Sequence, residues 1–395
     1  MEHYNPIFSK VPTLRFKKYD TNWNRKRLSD YVKKITQKNS NNIIKNVICN
    51  SAQNGLIPQL DFFDKEIAND ENTVGYYIIN NGDFVYNPRK SLNAPYGPVN
   101  MYKYEKAGIV SPLYLCFSVD ESINKSFLLQ RFKSPCWYRY IYLNGDSGAR
   151  HDRVSIKDDV FLSQPISLPS AEEQTDIAVF LEKIDERIEI QNKIIEDLKV
   201  LKKELCNRAF SKGSAVRLGE LIEEVTVRNK SNACDNVLSV SNKMGFIKQS
   251  EQFEDRTIAS ENKSSYKVVT KGCFAYNPAR INVGSIALLS SHSMGIISPM
   301  YVCFKAKNVL DSTYLSFYYQ SDFFARELQK KLEGSVRQCL TYENMREIII
   351  PYVNIERQRE IATTLNRFTM LIATEEKCLK ALQKQKSYFL NAMFI

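Results

Sequence analysis

The feature that most constrains this chain is a long apolar stripe that occurs twice. Residues 172–210 contain no proline and no glycine, and strong helix formers occupy most of the positions. Steps of four and three residues from Ile177 reach nine positions, of which seven are apolar. Because this spacing is typical of a coiled-coil seam, the pattern predicts a helix about 58 Å long that needs a partner helix.

The predicted partner is the second copy of the stripe, which begins 184 residues later at Ile361 and again has seven apolar positions among nine. Gln191 and Lys202 interrupt the first copy, and Glu375 and Lys386 interrupt the second at the same two places. Two unrelated amphipathic helices, each packed on its own domain, would not be expected to share these interruptions. The predicted seam consists of Ile177, Leu181, Ile184, Ile188, Ile195, Leu198, Leu205, Ile361, Leu365, Phe368, Ile372, Leu379, Leu382 and Phe389.

The ends of the first helix carry their own signals. Ser170, followed three residues later by Glu173, has the form of a capping box, and Gly213 is a stop signal after the last turn. An antiparallel pair is favoured, because a parallel pair would force the intervening domain to bridge the whole length of the rod.

The internal repeat extends beyond the helices. Residues 82–88 read GDFVYNP and residues 272–278 read GCFAYNP; residues 108–117 read GIVSPLYLCF and residues 295–304 read GIISPMYVCF. Alternating Val, Ile, Tyr and Phe predict strands in both copies, and residues 312–332 give the clearest short helix.

These patterns predict an α+β fold. Two strand-rich domains are separated by two long helices that form an antiparallel coiled coil, with a pseudo-twofold internal repeat. The predicted limits are 1–169 for the first domain, including an N-terminal segment 1–25, then 170–212 for the central helix, 213–352 for the second domain and 353–395 for the C-terminal helix.

Charge and cysteine content narrow the class of protein. Helix charges in 172–210 and 354–394 cancel, at −3 and +3, so the net charge of +11 lies on the rest of the chain. This distribution fits a polyanion partner such as nucleic acid, although a mildly basic protein without such a partner has the same charge. Nine cysteines without a C-x-x-C pair indicate reduced thiols in the cytoplasm, and the apolar runs are too short to cross a membrane.

Four features together resemble the specificity subunit of type I restriction–modification systems: the run LPSAEEQ before the first helix, the paired helices, the two Tyr-Asn-Pro elements and the doubled Gly-Ile-(Val/Ile)-Ser-Pro-(Leu/Met)-Tyr. The resemblance covers essentially the whole chain. It implies that each strand-rich domain is a target recognition domain for one half of a bipartite sequence in double-stranded DNA. It also implies that the helices set the spacer and dock two modification subunits. The second helix begins in PYVNIERQ, without a counterpart of Pro169, so its first turn is expected to differ.

The resemblance places catalysis on partner subunits. Modification subunits would form an adenine-N6 methyltransferase that uses S-adenosylmethionine, and restriction subunits would add an ATP-dependent endonuclease and translocase that needs Mg. This chain is expected to hold no cofactor and no metal. Its Asn-Pro pairs continue with Arg89 and Ala279 rather than a second proline and an aromatic residue, and no glycine-rich phosphate loop occurs. A fused restriction–modification enzyme and a coiled-coil scaffold whose domains bind protein remain alternatives.

Candidate DNA contacts follow from comparing the two copies. Positions that are identical in both domains cannot distinguish two different half-sites, whereas residues 89–93 and 279–282 diverge after the shared Tyr-Asn-Pro. Arginine and asparagine there match the hydrogen-bonding edges of guanine and adenine. Further candidates lie in the two turns near 51–54 and 241–244 and in the segments before each long helix. The predicted contact residues are Arg89, Lys90, Asn93, Arg150, Arg153, Arg280, Asn282, Arg337, Gln53 and Lys243.

Overall fold

The computed structural model describes residues 11–59, 73–146, 152–242, 244–252, 263–334 and 338–395. The chain divides into two compact units. Unit 1 contains residues Met1–Gln191 and Cys378–Ile395, and unit 2 contains Asn192–Lys377. Each unit therefore combines one strand-rich domain with a part of both long helices.

The elements of unit 1 begin with strand β1. The strands are β1 (Asn24–Arg27), β2 (Val32–Lys34), β3 (Ile48–Ser51), β4 (Gly55–Pro58), β5 (Tyr77–Ile79), β6 (Phe84–Tyr86), β7 (Val99–Met101), β8 (Gly108–Val110), β9 (Leu115–Val119) and β10 (Pro165–Leu168). The short helices are α1 (Lys125–Lys133), α2 (Tyr138–Asn144) and α3 (Asp158–Leu162). The first long helix, α4, spans Ala171–Ala209 and continues into unit 2.

Unit 2 repeats this order. Its strands are β11 (Ser214–Arg217), β12 (Ile222–Glu224), β13 (Val237–Ser241), β14 (Gly245–Lys248), β15 (Lys267–Thr270), β16 (Cys273–Tyr276), β17 (Ile286–Leu288), β18 (Met294–Ile297), β19 (Val302–Ala306) and β20 (Ile349–Tyr352). The helices are α5 (Leu218–Leu221), α6 (Gln249–Gln252), α7 (Ser312–Tyr318), α8 (Asp322–Gln329), α9 (Tyr342–Arg346) and the second long helix, α10 (Ile355–Ala392).

The sheets confirm the duplication. Unit 1 contains a four-stranded antiparallel sheet in the order β2-β9-β6-β7, and unit 2 contains its equivalent, β12-β19-β16-β17. The ribbon β1-β10 recurs as β11-β20. Strands β3-β4 and β5-β8 correspond to the continuous sheet β14-β13-β18-β15, with a single bridge between Val47 and Ile109 in place of the parallel β13–β18 pairing. The α+β class and the internal repeat are therefore as predicted.

The prediction of one helix over 312–332 is wrong in one respect, because two helices occupy this range. Helix α7 ends at Tyr318 and helix α8 begins at Asp322. The Ser321 hydroxyl accepts the amide hydrogen of Phe324 at 3.2 Å and so provides a new N-cap. The chain can turn at this point because the Phe324 amide, in the first turn of α8, already has a partner.

Only half of the capping box predicted for α4 forms. The Ser170 hydroxyl accepts the amide hydrogen of Glu173 at 3.2 Å, as expected. The Glu173 carboxylate instead accepts two hydrogen bonds of 2.7 Å from the Arg15 guanidinium and one of 3.3 Å from the indole of Trp23. This fully buried carboxylate ties the N-terminal segment to the first turn of the helix.

The first turn of α10 does not differ as expected from the missing proline. The Asn354 side chain accepts the amide hydrogen of Arg357 at 2.9 Å, as Ser170 does for Glu173 in α4. The cap needs only a short polar side chain at this position, so the residue before it is free to vary.

A buried glutamine docks each long helix on its own domain. The Gln174 amide donates to the Pro169 carbonyl at 3.1 Å and its oxygen accepts the amide hydrogen of Asn124 at 3.0 Å. Gln358 forms the equivalent pair in unit 2. Its amide donates to the Val353 carbonyl at 2.8 Å, and its oxygen accepts the amide hydrogen of Asp311 at 2.8 Å. Each glutamine amide donates to the backbone carbonyl of the residue two positions before its helix. Any residue supplies this carbonyl, so a counterpart of Pro169 is not required.

Of the fourteen residues of the predicted seam, seven are buried and seven are partly buried. In unit 1 the rings of Phe180 and Phe389 lie 4.9 Å apart, so the beginning of α4 packs against the end of α10. In unit 2 the Lys199 ammonium lies 2.7 Å from the Glu376 carboxylate, further along α4 and earlier in α10. The helices are antiparallel in each unit, and the alternative in which each helix packs only on its own domain is wrong.

One interruption of the seam carries a partly buried charge cluster in unit 1. Lys386 forms an ion pair with Asp185, which also accepts a 2.9 Å hydrogen bond from Gln130 and lies 3.3 Å from the Lys133 ammonium. Burial alone would raise the pKa of Asp185, but the two lysines hold it below its usual range. Burial and Lys133 lower the pKa of Lys386 to about 8. At this position of the seam, charged side chains that stabilise each other therefore take the place of an apolar contact.

Replacing Asp185 with Asn should lower the free energy of unfolding at pH 7 by about 2 kcal/mol, because Lys386 loses its counter-charge. The lowered carboxyl pKa stabilises the fold above the ordinary value of about 4, and this contribution disappears as the pH falls below it. Wild type should therefore lose more stability than Asp185→Asn between about pH 5 and pH 3. Urea unfolding across this range measures both effects.

Glu186→Gln is the matched control, because this neighbouring carboxylate is exposed and its one ion pair among the described residues is with Lys183, one turn away. It should change stability by less than about 0.5 kcal/mol. Equal effects of the two substitutions would contradict the structural role given to Asp185.

Candidate nucleic-acid interface

A cleft of about 560 Å³ opens on the strand-rich domain of unit 1. Four chain segments form its walls: the end of β3 with the β3–β4 turn, the loop after β6, the turn after β8 and the segment at Arg153. The residues that line it are Cys49, Asn50, Ser51, Ala52, Gln53, Asn87, Pro88, Arg89, Lys90, Ser91, Leu92, Asn93, Pro98, Ser111, Leu113, Tyr114 and Arg153.

Five of the predicted contact residues meet in this cleft: Gln53, Arg89, Lys90, Asn93 and Arg153. They come from three separate stretches of sequence. The structure brings the last of them into place through the pairing of Arg89 with Arg153 and a 2.8 Å hydrogen bond from the Lys90 amide to the carbonyl of Asp152. These five residues therefore share one surface, and their contact with DNA stays a prediction.

Hydrogen bonds from asparagine side chains connect the chain segments at the bottom of the cleft. The buried Asn50 amide donates to the Val85 carbonyl at 2.8 Å, and its side-chain oxygen accepts from Asn100 at 2.7 Å. Asn87 donates to the Asn50 carbonyl at 3.2 Å and accepts the amide hydrogen of Arg89 at 3.0 Å. Asn87 therefore fixes the direction in which the chain leaves β6 and presents Arg89.

The shared Tyr-Asn-Pro elements pack in the domain cores and start the loops that follow. The buried ring of Tyr86 stacks on Phe161 with centroids 4.2 Å apart. In unit 2, Tyr276 is also fully buried, and Asn277 accepts the amide hydrogen of Ala279 at 3.1 Å. The same turn therefore starts both divergent loops.

After this shared turn the loops take different shapes. In unit 1, Ser91 and Ala94 pair across a tight turn, with Leu92 at the tip. In unit 2, Pro278–Val283 forms a 3-10 helix that ends at Gly284, whose φ of +88° favours glycine. Ile281 is buried in the core of unit 2, whereas Arg280 and Asn282 are exposed. Divergent loops on a common scaffold are what two different half-sites require.

The charges in these loops are available to a ligand. Among the described contacts, neither Arg89, Lys90 nor Arg280 has an acidic partner within 4 Å, and all three side chains are exposed. Arg153 lies 3.9 Å from the Asp152 carboxylate, a weak pairing at a half-exposed position.

Sequence comparison missed the apolar part of the cleft. Leu92 is 99% exposed, and Leu113 is 62% exposed beside Tyr114. The Ser111 hydroxyl accepts the amide hydrogen of Leu113 at 3.3 Å and holds it outward. Met300, the equivalent of Leu113 in unit 2, is 58% exposed. An apolar residue directly after Ser-Pro in both copies was the signal that could have found this position.

Three predicted contact residues, Arg150, Arg337 and Lys243, lie outside the described residues, so their predicted roles stay predictions. All nine cysteines are described, and none is bonded to another. Over the described ranges, no cluster of His, Cys, Asp and Glu side chains has the arrangement of a metal site. None of the helices in the described part of the chain combines the length and apolar character that a bilayer crossing requires.

The chain matches the family model of the type I restriction modification DNA specificity domain twice, over residues 20–200 and 216–384. Each match covers one strand-rich domain together with most of the long helix that follows it. The chain belongs to this family. It is a DNA specificity subunit, and the subunits of this family are not themselves the catalysts of their restriction–modification systems.

A specificity subunit of the type I restriction enzyme MjaVIII from Methanocaldococcus jannaschii is 24% identical over 322 residues, which cover 73% of this chain and 71% of that protein. The HsdS subunit from Thermoanaerobacter tengcongensis has 16% identity and a TM-score of 0.51, over 96% of this chain and 98% of that one. The type I S subunit from M. genitalium has 15% identity and a TM-score of 0.53, over 98% and 99%.

A chain from a structural study of type I complex assembly and conformational transition has 14% identity and a TM-score of 0.58, over 94% of this chain and 98% of that one. At these identities the solved structures support the fold of the specificity subunit. They leave the individual DNA contacts to be determined from this chain.

Gly97→Ala tests whether the loop geometry matters for binding. The φ of Gly97 is +85°, and a Cβ there would overlap the carbonyl oxygen of Asn87. The substitution should lower stability by about 2 kcal/mol and weaken DNA binding, because Asn87 also positions Arg89. Urea unfolding and a duplex binding titration measure the two effects.

Gly75→Ala is the control, since a Cβ at Gly75 meets no atom within 4 Å. It should leave both the stability and the binding close to wild type. Wild-type DNA affinity in a folded Gly97→Ala variant would contradict the role of this loop.

Proposed function

We propose that this specificity subunit recognises a bipartite DNA sequence, with each unit contacting one half. The observation that carries the proposal is the pair of divergent loops that leave the same Tyr-Asn-Pro turn in the two units. A duplicated scaffold supplies the same approach to DNA twice, and different loop side chains supply different base preferences.

In unit 1 the cleft combines the groups that base recognition uses. Arg89 presents a forked donor suited to guanine, and Asn93 and Gln53 present amides suited to adenine. Lys90 suits a phosphate, because a contact between its flexible ammonium and the DNA backbone would position the protein without selecting a base. The exposed Leu92 and Leu113 suit the methyl group of thymine or the face of a base.

In unit 2 the equivalent surface has fewer side chains that could contact DNA. Arg280 and Asn282 project from the 3-10 helix, whose Ile281 anchors it in the core. Met300 takes the place of Leu113. We expect this unit to prefer a different half-site, since both the spacing and the identity of its polar groups differ.

The long helices suit the roles of spacer and docking surface for two modification subunits. Outside the buried seam they expose eight large apolar side chains: Val179, Ile190, Ile194, Val200, Leu201, Met370, Leu371 and Tyr388. Exposed apolar surface of this kind is typical of protein contacts. The modification and restriction subunits would supply the sites for S-adenosylmethionine, ATP and Mg, and the assembly would work in the cytoplasm, where cysteines stay reduced.

Arg89→Ala should weaken specific binding by about 1–3 kcal/mol and relax the preference at one base of one half-site. Arg280→Ala should do the same for the other half-site. Selection of bound sequences from a randomised duplex library, with the subunit in its complex, measures both changes. Arg187→Ala is the control, because Arg187 is an exposed arginine on α4 and belongs to neither loop.

An unchanged base preference in both loop variants would reject their role in base recognition. A loss that is equal at every position, with a smaller salt dependence, would instead assign the arginines to phosphates. Binding to duplex DNA that is insensitive to salt would favour the remaining alternative, a scaffold whose domains bind protein.

Inserting one heptad into each long helix, after Gln191 and after Lys377, should lengthen the preferred spacer by about three base pairs. Seven helical residues add about 10 Å, and both insertions keep the seam in register. Sequence selection measures the spacer. A heptad in α4 alone is the control and should weaken binding, because the seam residues no longer face each other. An unchanged spacer in the double insertion would reject the ruler role.

A further inference from the structure

Equivalent lysines interrupt the seam in the two units, but only one has an acidic partner. Lys386 in unit 1 and Lys202 in unit 2 are related by the 184-residue repeat. Asp185 neutralises Lys386, and Gln130 and Lys133 hold Asp185 in place. Unit 1 therefore balances its buried cation with its own side chains.

Unit 2 lacks this acid. The Lys202 ammonium lies over the ring of Phe317, 5.4 Å from its centroid, and forms no ion pair with any residue that the structure describes. Burial lowers the pKa of Lys202, which reflects the cost of a charge held there without a counter-charge. Thr369 takes the place of Asp185 in the 184-residue repeat of the long helices. Phe317 and Gln320 take the places of Gln130 and Lys133, which lie 187 residues earlier, the same distance that separates the two Ser-Pro segments.

The substitutions leave a pocket of about 290 Å³ in unit 2. It is lined by Lys199, Lys202, Lys203, Cys206, Gln320, Thr369 and Ile372. Lys199 pairs with Glu376 at 2.7 Å and Lys203 lies 3.6 Å from Asp322, so Lys202 is the lysine with a free charge among these lining residues. Since a water molecule takes about 30 Å³ in the liquid, the space is large enough for a carboxylate and part of its carbon chain.

Cys206 does not compete for the role of anion. Its thiol donates to the carbonyl of Phe317 at 3.3 Å, and burial raises its pKa to about 11. The lining therefore contains three ammonium groups, an amide and a hydroxyl, and no carboxylate.

We infer that this pocket binds a carboxylate group supplied by another molecule, at the place that Asp185 fills in unit 1. An acidic side chain of a docked modification subunit and a small free dicarboxylate share this chemistry. The first source rests on the proposed docking of modification subunits on the helices, whereas the second is independent of it.

Thr369→Asp gives the chain its own carboxylate where Asp185 stands in the repeat. Lys202→Met removes the free charge while keeping the length of the side chain. Thr374→Asp is the matched control, because Thr369 and Thr374 lie on the same helix and both donate to the carbonyl four residues earlier, at 3.0 Å. Thermal unfolding of the full chain should give Thr369→Asp a midpoint equal to or above wild type, which confirms that it folds.

The first arm adds succinate to the full chain at constant ionic strength, with chloride as the reference. If the ligand is a free dicarboxylate, succinate should raise the unfolding midpoint of wild type and Thr374→Asp. It should leave Thr369→Asp and Lys202→Met unchanged, because the first has filled the pocket and the second has lost its charge.

The second arm measures assembly with the modification subunits. If the ligand is a side chain of these subunits, succinate should have no effect on the unfolding midpoint. Thr369→Asp and Lys202→Met should then bind the modification subunits at least about tenfold more weakly than wild type and Thr374→Asp.

Wild-type behaviour of Thr369→Asp and Lys202→Met in both arms would overturn the inference. Failure of the wild-type chain itself to assemble would contradict the proposed docking role instead. In that case the succinate experiment alone would test carboxylate binding by the pocket. The inference would be overturned if succinate did not raise the unfolding midpoint of wild type.

Discussion

Burial of the apolar seam on two long helices is the interaction on which the rest of the structure depends. Each fully buried Ile or Leu contributes about 1.5–3 kcal/mol, whereas an exposed pair such as Lys199–Glu376 contributes at most about 1 kcal/mol. Neither helix can bury its stripe alone. Both strand-rich domains therefore complete their cores with both helices: Ile177 packs in one core with Phe394, and Phe210 packs in the other with Leu365.

This dependence explains how one scaffold supports two different recognition surfaces. The glutamine contacts of Gln174 and Gln358 and the buried Tyr86 and Tyr276 are the same in both units, because they hold helix and sheet together. The loops that follow are free of this constraint and differ in shape. The same freedom applies along the seam, where Asp185 has become Thr369 without loss of the helix pair.

Periodicity and repetition made much of this predictable. The pair of long helices, its antiparallel direction and the duplicated strand-rich domains could be predicted, because local spacing and a second copy report them directly. The cleft residue Arg89 followed from comparing the copies. The partnership of Glu173 with Arg15 could not be predicted, because it joins residues 158 positions apart in the fold. Leu113 was missed because its exposure depends on a turn held by Ser111, and the break before α8 because Ser321 was not recognised as a cap.

The central claim is that the two duplicated domains each recognise one half of the same DNA target. Its most direct test is methylome sequencing of the host with and without this gene. The expected result is an interrupted sequence, with two specific parts and a fixed gap, that is methylated only when the gene is present. A contiguous methylated sequence, or an unchanged methylation pattern in a host whose modification subunits are active, would contradict it.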